Sequence, residues 1–302
     1  LRSLKNLALE ERREKGPAAN HFRNEIEEIV NNKVKELIMR QEAGSALDVT
    51  MPGKKVSLGH LHPLTIVEDQ IKEIFLGLNF SVLEGPEVET DFFNFDALNI
   101  PPDHPARDAW DTFWLGIGSR ETGNGNREPE TRNRKPENRF LLRTHTSPMQ
   151  IRFMKEHQPP LQIIVPGRVF RYEATDATHE INFYQVEGLM VGKNISLANF
   201  KYVISEFFKK FFNRPVEIRL RPSYFPFVEP GLEVDIKLND KWLEVMGAGL
   251  VHPKVFQALG YASGEWQGFA FGLGLERMAM IKYNIPDIRL FYSGDLRFIN
   301  QF

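Results

Sequence analysis

Apolar residues recur every three to four positions between 20 and 43: Phe22, Ile26, Ile29, Val30, Val34 and Leu37, with Glu25, Glu27, Glu28, Lys33 and Lys35 between them. That period predicts an amphipathic helix. Residues 1–17 are charged and close on Lys15-Gly16-Pro17, and A-L-D-V-T-M-P-G-K-K (46–55) predicts a linker punctuated by proline and glycine. A second helix is predicted from about Thr65 to Asn79, after His62-Pro63, with Ile66, Ile71, Ile74, Phe75 and Leu78 on its apolar side. F-S-V-L-E-G-P-E-V (80–88) predicts a strand broken at Gly85-Pro86. From Gly118 to Arg139 no hydrophobic period survives in a run of Gly, Asn, Arg and Glu, which predicts a long exposed loop. Its cations could touch RNA phosphate, but its composition suits a solvated, tolerant insertion better.

I-I-V-P-G-R-V-F-R-Y-E (163–173) and N-F-Y-Q-V-E-G-L-M-V (182–191) predict two strands. A period of two puts Arg171 and Glu173 on one face of the first, and Phe183, Gln185 and Glu187 on one face of the second. A core face would carry Val or Ile at those positions, because polar groups are costly to bury without partners. The two readings are an internal ion-pair network and a ligand face, and the second explains the pattern better. Ser147-Pro148 predicts an N-cap and first helical position, just after His145. In R-P-S-Y-F-P-F-V-E-P (221–230), Phe225, Phe227 and Glu229 alternate along an extended run whose prolines indicate an edge or rim. G-F-A-F-G-L-G-L-E-R (268–277) predicts a glycine-rich strand end entering a helix with Arg277 in its first turn. No βαβ unit surrounds these glycines, so they are not a dinucleotide fingerprint.

Composition narrows the possibilities further. At 302 residues and 42% hydrophobic content, the chain can bury one large core plus an appendage. It has no cysteine, which excludes disulfides and thiolate metal sites and suits a cytoplasmic protein. No apolar run reaches the roughly 20 residues of a membrane span, and the charged N-terminus is unlike a signal peptide. The absence of an initiator methionine suggests a fragment or trimmed product. A net charge of −2 argues against RNA binding by bulk charge, so any RNA contact would be local or shared with a partner.

The order of G-R-V-F-R-Y-E (167–173) and G-F-A-F-G-L-G-L-E-R resembles motifs 2 and 3 of class II aminoacyl-tRNA synthetases, and the helix and broken strand at 65–88 resemble motif 1. R-T-H-T-S-P-M-Q (143–150), R-P-S-Y-F-P-F-V-E-P and N-F-D-A-L-N-I-P (94–101) resemble the α subunit of bacterial-type phenylalanyl-tRNA synthetases, over roughly residue 20 to the C-terminus.

The resemblance implies a role for each group. Arg171 would hold the α-phosphate and the substrate carboxylate, Glu173 the adenine amino group, Phe183 the base, and His179 phosphate. Arg277 would grip the γ-phosphate, with Gly272 and Gly274 leaving room for ATP at a helix N-terminus. Gln185 and Glu187 would receive the ammonium of phenylalanine, and His145, Ser147 and Gln150 its backbone. Phe225 and Phe227 would hold its ring, Trp114 would close the pocket, and Ala270 would lie beneath the ring's far end. Glu229 would contact Mg²⁺, with the remaining ligands coming from a partner subunit.

The implied fold is α+β, a mainly antiparallel sheet flanked by helices at 46–302 with a helical, coiled-coil arm at 1–45. The implied reaction joins phenylalanine and ATP into the adenylate and transfers the acyl group to tRNA(Phe), within an (αβ)₂ heterotetramer. The arm would lean on tRNA, with residues 1–17 as the stump or turn of a second arm. Another class II ligase, or an inactive synthetase-like RNA-binding module, are the alternative readings; Phe225, Phe227 and N-F-D-A-L oppose the first, and the retained Arg171, Glu173 and Arg277 the second.

Overall fold

The structure is a computed structural model that describes residues 8–45, 50–53, 58–108, 111–116, 139–262 and 264–302. It divides into two compact units, Leu1–Leu58 and Gly59–Phe302. The sequence reading placed the boundary earlier, at 45/46. The exposed loop expected at 118–139 falls, but for Arg139, outside the described residues.

Among its described residues the first unit holds one helix, α1 (Leu9–Ser45). It runs straight through Gly16 and Pro17, so the turn expected there does not form. Proline in a helix interior costs about 3 kcal/mol, yet the neighbouring Glu, Arg, Lys and Ala are strong helix formers that carry the helix past it. Phe22, Ile26, Ile29, Val30, Val34 and Leu37 are all exposed. Pairs one turn apart, such as Arg23 with Glu27 at 2.8 Å, support the opposite positions.

The second unit begins with α2 (Pro63–Leu76), capped by His62, whose ring accepts from the Leu64 N–H at 3.2 Å. Pro63 occupies the first turn, where no N–H is needed, so this helix starts two residues before the position predicted from its apolar side. The strand expected at 80–88 becomes two fragments, β1 (Ser81–Val82) and β2 (Val88–Thr90), which join different sheets. After α3 (Asp91–Asn94) come β3 (Trp114–Leu115), β4 (Phe140–Leu142) and α4 (Ser147–Glu156). Then follow β5 (Leu161–Phe170), β6 (Asn182–Gly192), α5 (Leu197–Phe211), β7 (Glu217–Phe225), β8 (Val228–Leu238) and β9 (Lys241–Val251). The chain finishes with α6 (Pro253–Ala258), β10 (Gln267–Gly274), α7 (Leu275–Tyr283), a 3-10 turn at Ile288–Tyr292 and α8 (Leu296–Ile299).

The main sheet has the order β1-β5-β6-β10-β9-β8-β7, and all its pairings are antiparallel except β1 with β5. Alternation along its strands separates two cores. Ile164, Val186, Phe269, Phe271 and Leu273 meet α2, α5 and α7 in a phenylalanine-rich layer with Phe75, Phe200, Phe207 and Phe211. Ile163, Val165, Leu189 and Val191 point the other way, toward Phe95, Leu141, Ile151 and Met154. Gly188 lies under the Phe271 ring, where an added Cβ would overlap the ring atoms.

The small sheet β2-β4-β3 is anchored by buried ion pairs. Asp91 pairs with Arg107 at 3.0 Å and Arg139 at 2.7 Å, and Glu89 with Arg152 at 2.7 Å. No helix among the described residues is long and apolar enough to cross a membrane.

Candidate active site

The second face of the main sheet opens into a cavity of about 1100 Å³. The sequence explains why it is open there. Ala270, Gly272 and Gly274 alternate along β10 on that face, opposite Leu189, Glu187 and Gln185 of β6. A Cβ at Gly272 would come 3.2 Å from the Glu187 Cγ, so glycine leaves that carboxylate its space.

At one end of the cavity polar groups are buried with few partners. Glu187 accepts from the Ser147 hydroxyl, from the Thr146 N–H at 3.2 Å and weakly from the Gln150 amide at 3.4 Å. Burial pushes its carboxyl up to about 7, against the pull of Ser147, Thr146, Arg171 and Arg143. His145 is enclosed, and neither ring nitrogen is hydrogen-bonded to a described residue. Burial, with the Arg171 guanidinium next, pushes the imidazole down to about 3, so it is neutral at physiological pH. The Gln185 Oε1 is likewise buried without a partner. Such groups in a packed interior are expensive unless a ligand satisfies them. Among the described residues no ion pair joins Arg171 or Glu173 to Glu187, so the internal network considered from the sequence does not form there. The buried carboxylates that are paired are Asp91 and Glu89 at the small sheet and Asp235 on β8, held by Arg219 and Arg221.

Beside these groups the lining is apolar. The Phe225 and Phe227 rings stack with centroids 6.0 Å apart, and Phe227 lies 6.5 Å from the His145 ring. Ala270, Leu98, Ile151, Met154 and Val251 complete this end. Pro222 lies within β7, the strand at the sheet edge, in register with Leu232, and the pairing shifts just after it between Ser223 and Phe225, as suits a rim segment.

At the other end Arg171, Glu173, His179, Phe183, Gly274 and Arg277 line the cavity. β5 stops at Phe170, so Arg171 and Glu173 lie just past the strand rather than on its face. Arg171 still pairs through its N–H with the Ile181 carbonyl at 2.9 Å, but the Glu173 N–H turns back to Arg171 and the chain leaves the sheet. The buried Arg171 guanidinium lies 5.1 Å from the Phe183 ring centroid and donates to the Thr144 carbonyl at 3.1 Å. Asp176 accepts from the His179 backbone N–H at 2.8 Å and holds the loop that carries this imidazole. Arg277, in the first turn of α7, donates to the Glu244 carbonyl at 3.3 Å.

Three expectations change. Ser147 is the first residue of α4 and Thr146 its N-cap, because the Thr146 hydroxyl is drawn to the Val165 carbonyl at 2.9 Å and Ser147 turns to Glu187. Trp114 does not line the cavity: its indole donates to the Arg107 carbonyl at 3.2 Å, and Arg139 covers its ring at 4.1 Å. Glu229 also lies outside the lining, 75% exposed, with its carboxylate 3.2 Å from the His252 Nε2. One hard oxygen donor suits Mg²⁺ but cannot complete its shell, and no group of three or more His, Cys, Asp or Glu among the described residues is placed to hold a metal.

Sequence reasoning missed Arg143. Its buried guanidinium donates to the carbonyls of Arg168 at 2.7 Å and Gly85 at 3.0 Å, and a Cβ at Gly167 would collide with it. Those partners are backbone groups far apart in the chain, so no side-chain pattern marks them. Glu276, also missed, was hidden between the leucine and arginine of an apparent helix start.

Comparison with known proteins agrees with this geometry. The family described as "tRNA synthetases class II core domain (F)" matches residues 46–302. The phenylalanine–tRNA ligase alpha subunit of Dehalococcoides mccartyi is 47% identical over 319 residues, covering 100% of this chain and 87% of that protein. The alpha subunit of Bacillus subtilis is 44% identical with the same coverage. Among solved structures, the pyrrolysyl-tRNA synthetase of Desulfitobacterium hafniense aligns with TM-score 0.57 at 17% identity, covering 78% of this chain and 75% of that one, a likeness of fold alone. With an antiparallel sheet carrying the site and full-length identity of this order, the chain belongs to the class II tRNA synthetases and, within them, to the phenylalanine–tRNA ligase alpha subunits.

Proposed function

We propose that this chain activates phenylalanine with ATP and passes it to tRNA(Phe), as the catalytic α subunit of a heterotetramer with a β partner. One observation carries the amino-acid end: unsatisfied His145 and Gln185 and the buried Glu187 border an apolar pocket with two stacked phenylalanines. A zwitterion with an aromatic side chain answers both halves at once. Its ammonium meets Glu187 and Gln185, its backbone meets His145, Ser147 and Gln150, and its ring fits between Phe225, Phe227 and Ala270. Ring pairs add ~0.5–1.5 kcal/mol beyond area.

The nucleotide lies along the other end. Phe183 takes the base, with Glu173 at the adenine amino group and His179 at phosphate. Arg171 stands between the two ends, where a planar fork can hold both the amino-acid carboxylate and the α-phosphate. The carboxylate oxygen attacks the α-phosphorus in line, pyrophosphate leaves, and Arg277 holds the γ-phosphate near the N-terminus of α7. No protein nucleophile takes part, so positioning and charge stabilisation carry the rate. In the second step the terminal ribose hydroxyl of tRNA, the 2′ one in this family, attacks the acyl carbon and AMP leaves.

Glu229 would offer one carboxylate to Mg²⁺, with the other ligands supplied by the β subunit; bound there, the ion would contribute charge neutralisation. Helix α1 would lean on tRNA. A cytoplasmic location is part of the same proposal, and a cysteine-free chain suits a reducing compartment.

Phenylalanine-dependent ATP–pyrophosphate exchange tests this reading, with the chain alone and with a co-expressed β subunit. Exchange that requires phenylalanine and the partner is expected. Exchange driven by another amino acid would overturn the substrate, and robust charging by the isolated chain would overturn the heterotetramer.

A further inference from the structure

Glu276 is 2% exposed, is reached from the cavity, and has no part in the contacts assigned above. Its position follows from where two strands part. The β6–β10 ladder ends at the pair Gln185–Gly274, because the next residue of the second strand, Leu275, already begins α7. One residue further out on β6, the Tyr184 N–H has lost its strand partner. The Glu276 carboxylate takes that place, accepting from this N–H with both oxygens, at 2.9 and 3.1 Å. An N–H left unpaired away from water costs about 1–3 kcal/mol, and the carboxylate satisfies this one where the ladder ends.

The same carboxylate accepts from the Tyr292 hydroxyl, at the end of the 3-10 turn. At the other end of that turn the Ile288 N–H donates to the Ala177 carbonyl at 2.9 Å, in the loop that carries His179. Tyr184 is braced from its far side as well, where Arg168 donates to its hydroxyl at 2.8 Å. Phe183 immediately precedes Tyr184. One side chain thus ties together the strand that presents Phe183, the helix that presents Arg277, and the turn behind the His179 loop.

We propose that Glu276 is a positioning residue for the nucleotide end of the site, completing the sheet ladder so that the Phe183 ring stays fixed beneath Arg171. The proposal rests on the reading above that Phe183 takes the base. It bears on ATP first, because of the groups at the amino-acid end only Gln185 adjoins Tyr184, and Gln185 is still held by its own ladder pair with Gly274, whereas Phe183 lies beyond the last pair of that ladder. Small displacements of a binding platform are costly: a shift near 1 Å can cost ~10²-fold.

The test uses the αβ complex and measures exchange kinetics and thermal unfolding for Glu276→Ala, Glu276→Gln, Phe183→Ala and the double variant Phe183→Ala/Glu276→Ala. Glu276→Ala is expected to raise the KM for ATP about tenfold or more while the KM for phenylalanine stays within about twofold. Glu276→Gln keeps an oxygen for the Tyr184 N–H and should restore most of the ATP affinity. The double variant should be little worse than Phe183→Ala, since both changes remove the same platform. If Glu276→Ala does not assemble, Glu276→Asp, one methylene short of the N–H, replaces it with the same expectation. An unchanged ATP KM, or equal rises in both KM values in step with lost melting temperature, overturns the proposal while leaving the base reading intact. An unchanged ATP KM in Phe183→Ala overturns the base reading, and the positioning role with it.

Discussion

Ser147 and Glu187 are 40 positions apart in the chain, yet the serine hydroxyl donates to the carboxylate inside the protein, with both residues buried. The contact joins the start of α4 to the middle of β6. It also holds a buried carboxylate in place.

That carboxylate gives a pH prediction. The Glu187 carboxyl rises from its usual 4.5 to about 7, chiefly through burial. The folded chain therefore holds its proton more tightly than the unfolded chain, so this group contributes stability below about pH 4.5 that is lost as pH rises through about 7. Glu187→Gln removes the charge that must be buried. Its melting temperature, measured without substrate, should match the parent near pH 4, exceed it increasingly between about pH 4.5 and 7, and level off above that. A difference that does not change with pH would refute the buried-carboxylate origin.

Among the described residues Arg277 is tied to the protein by one 3.3 Å bond to a backbone carbonyl. Arg277→Ala should leave melting unchanged and reduce pyrophosphate exchange 10²–10³-fold, roughly the loss of one preorganised donor to developing charge. Arg171→Ala should be equally inactive but less stable, since its buried guanidinium donates to Thr144. Normal exchange in a folded variant would remove the residue from its role.

Gly188 faces Phe271, which stacks on Phe75 at 5.5 Å in the phenylalanine-rich core. Gly188→Ala forces one methyl into that layer and should destabilise the chain by about 1–3 kcal/mol. Chemical denaturation should show it as a shifted midpoint with an unchanged slope. An unshifted midpoint would mean that the ring moves aside freely.

Ala270 lines the apolar end of the cavity opposite Leu189. Ala270→Gly should improve para-chlorophenylalanine relative to phenylalanine by roughly tenfold or more in kcat/KM, the scale of a methylene-sized change in an apolar pocket. Ala270→Val should lower phenylalanine activation itself. An unchanged ratio in both folded variants would place Ala270 outside the ring's contact.

The unit ending at Leu58 is compact by itself. On the proposal that α1 leans on tRNA, deleting residues 1–58 should impair tRNA charging while sparing phenylalanine-dependent exchange. Equal loss of both activities would make α1 a structural element.

Much of this architecture was legible in the chain because its signals are local. The three-to-four period at 20–43, the His62-Pro63 helix start, the period-two run through Phe183, Gln185 and Glu187, and the small residues at 270, 272 and 274 each act through neighbours a few positions away. Their order also carried the family resemblance. What the sequence left open depended on partners distant in the chain. Gly16-Pro17 reads as a stop, yet strong helix formers on both sides outweigh one lost bond. Trp114 reads as a pocket wall, but Arg139 and the Arg107 carbonyl hold it away from the cavity. A strand's period cannot say where the strand ends, so Arg171 and Glu173 lie past β5 and reach the site by another path. Arg143 and Glu276 answer backbone groups, which every residue carries and no sequence pattern displays. The sequence by itself determined the fold family and which polar and aromatic side chains its strands offer on one face. Only the tertiary structure decided which of them share a cavity, because burial and hydrogen-bond satisfaction are settled by contacts between segments, here across sheets whose strands are not consecutive in the chain.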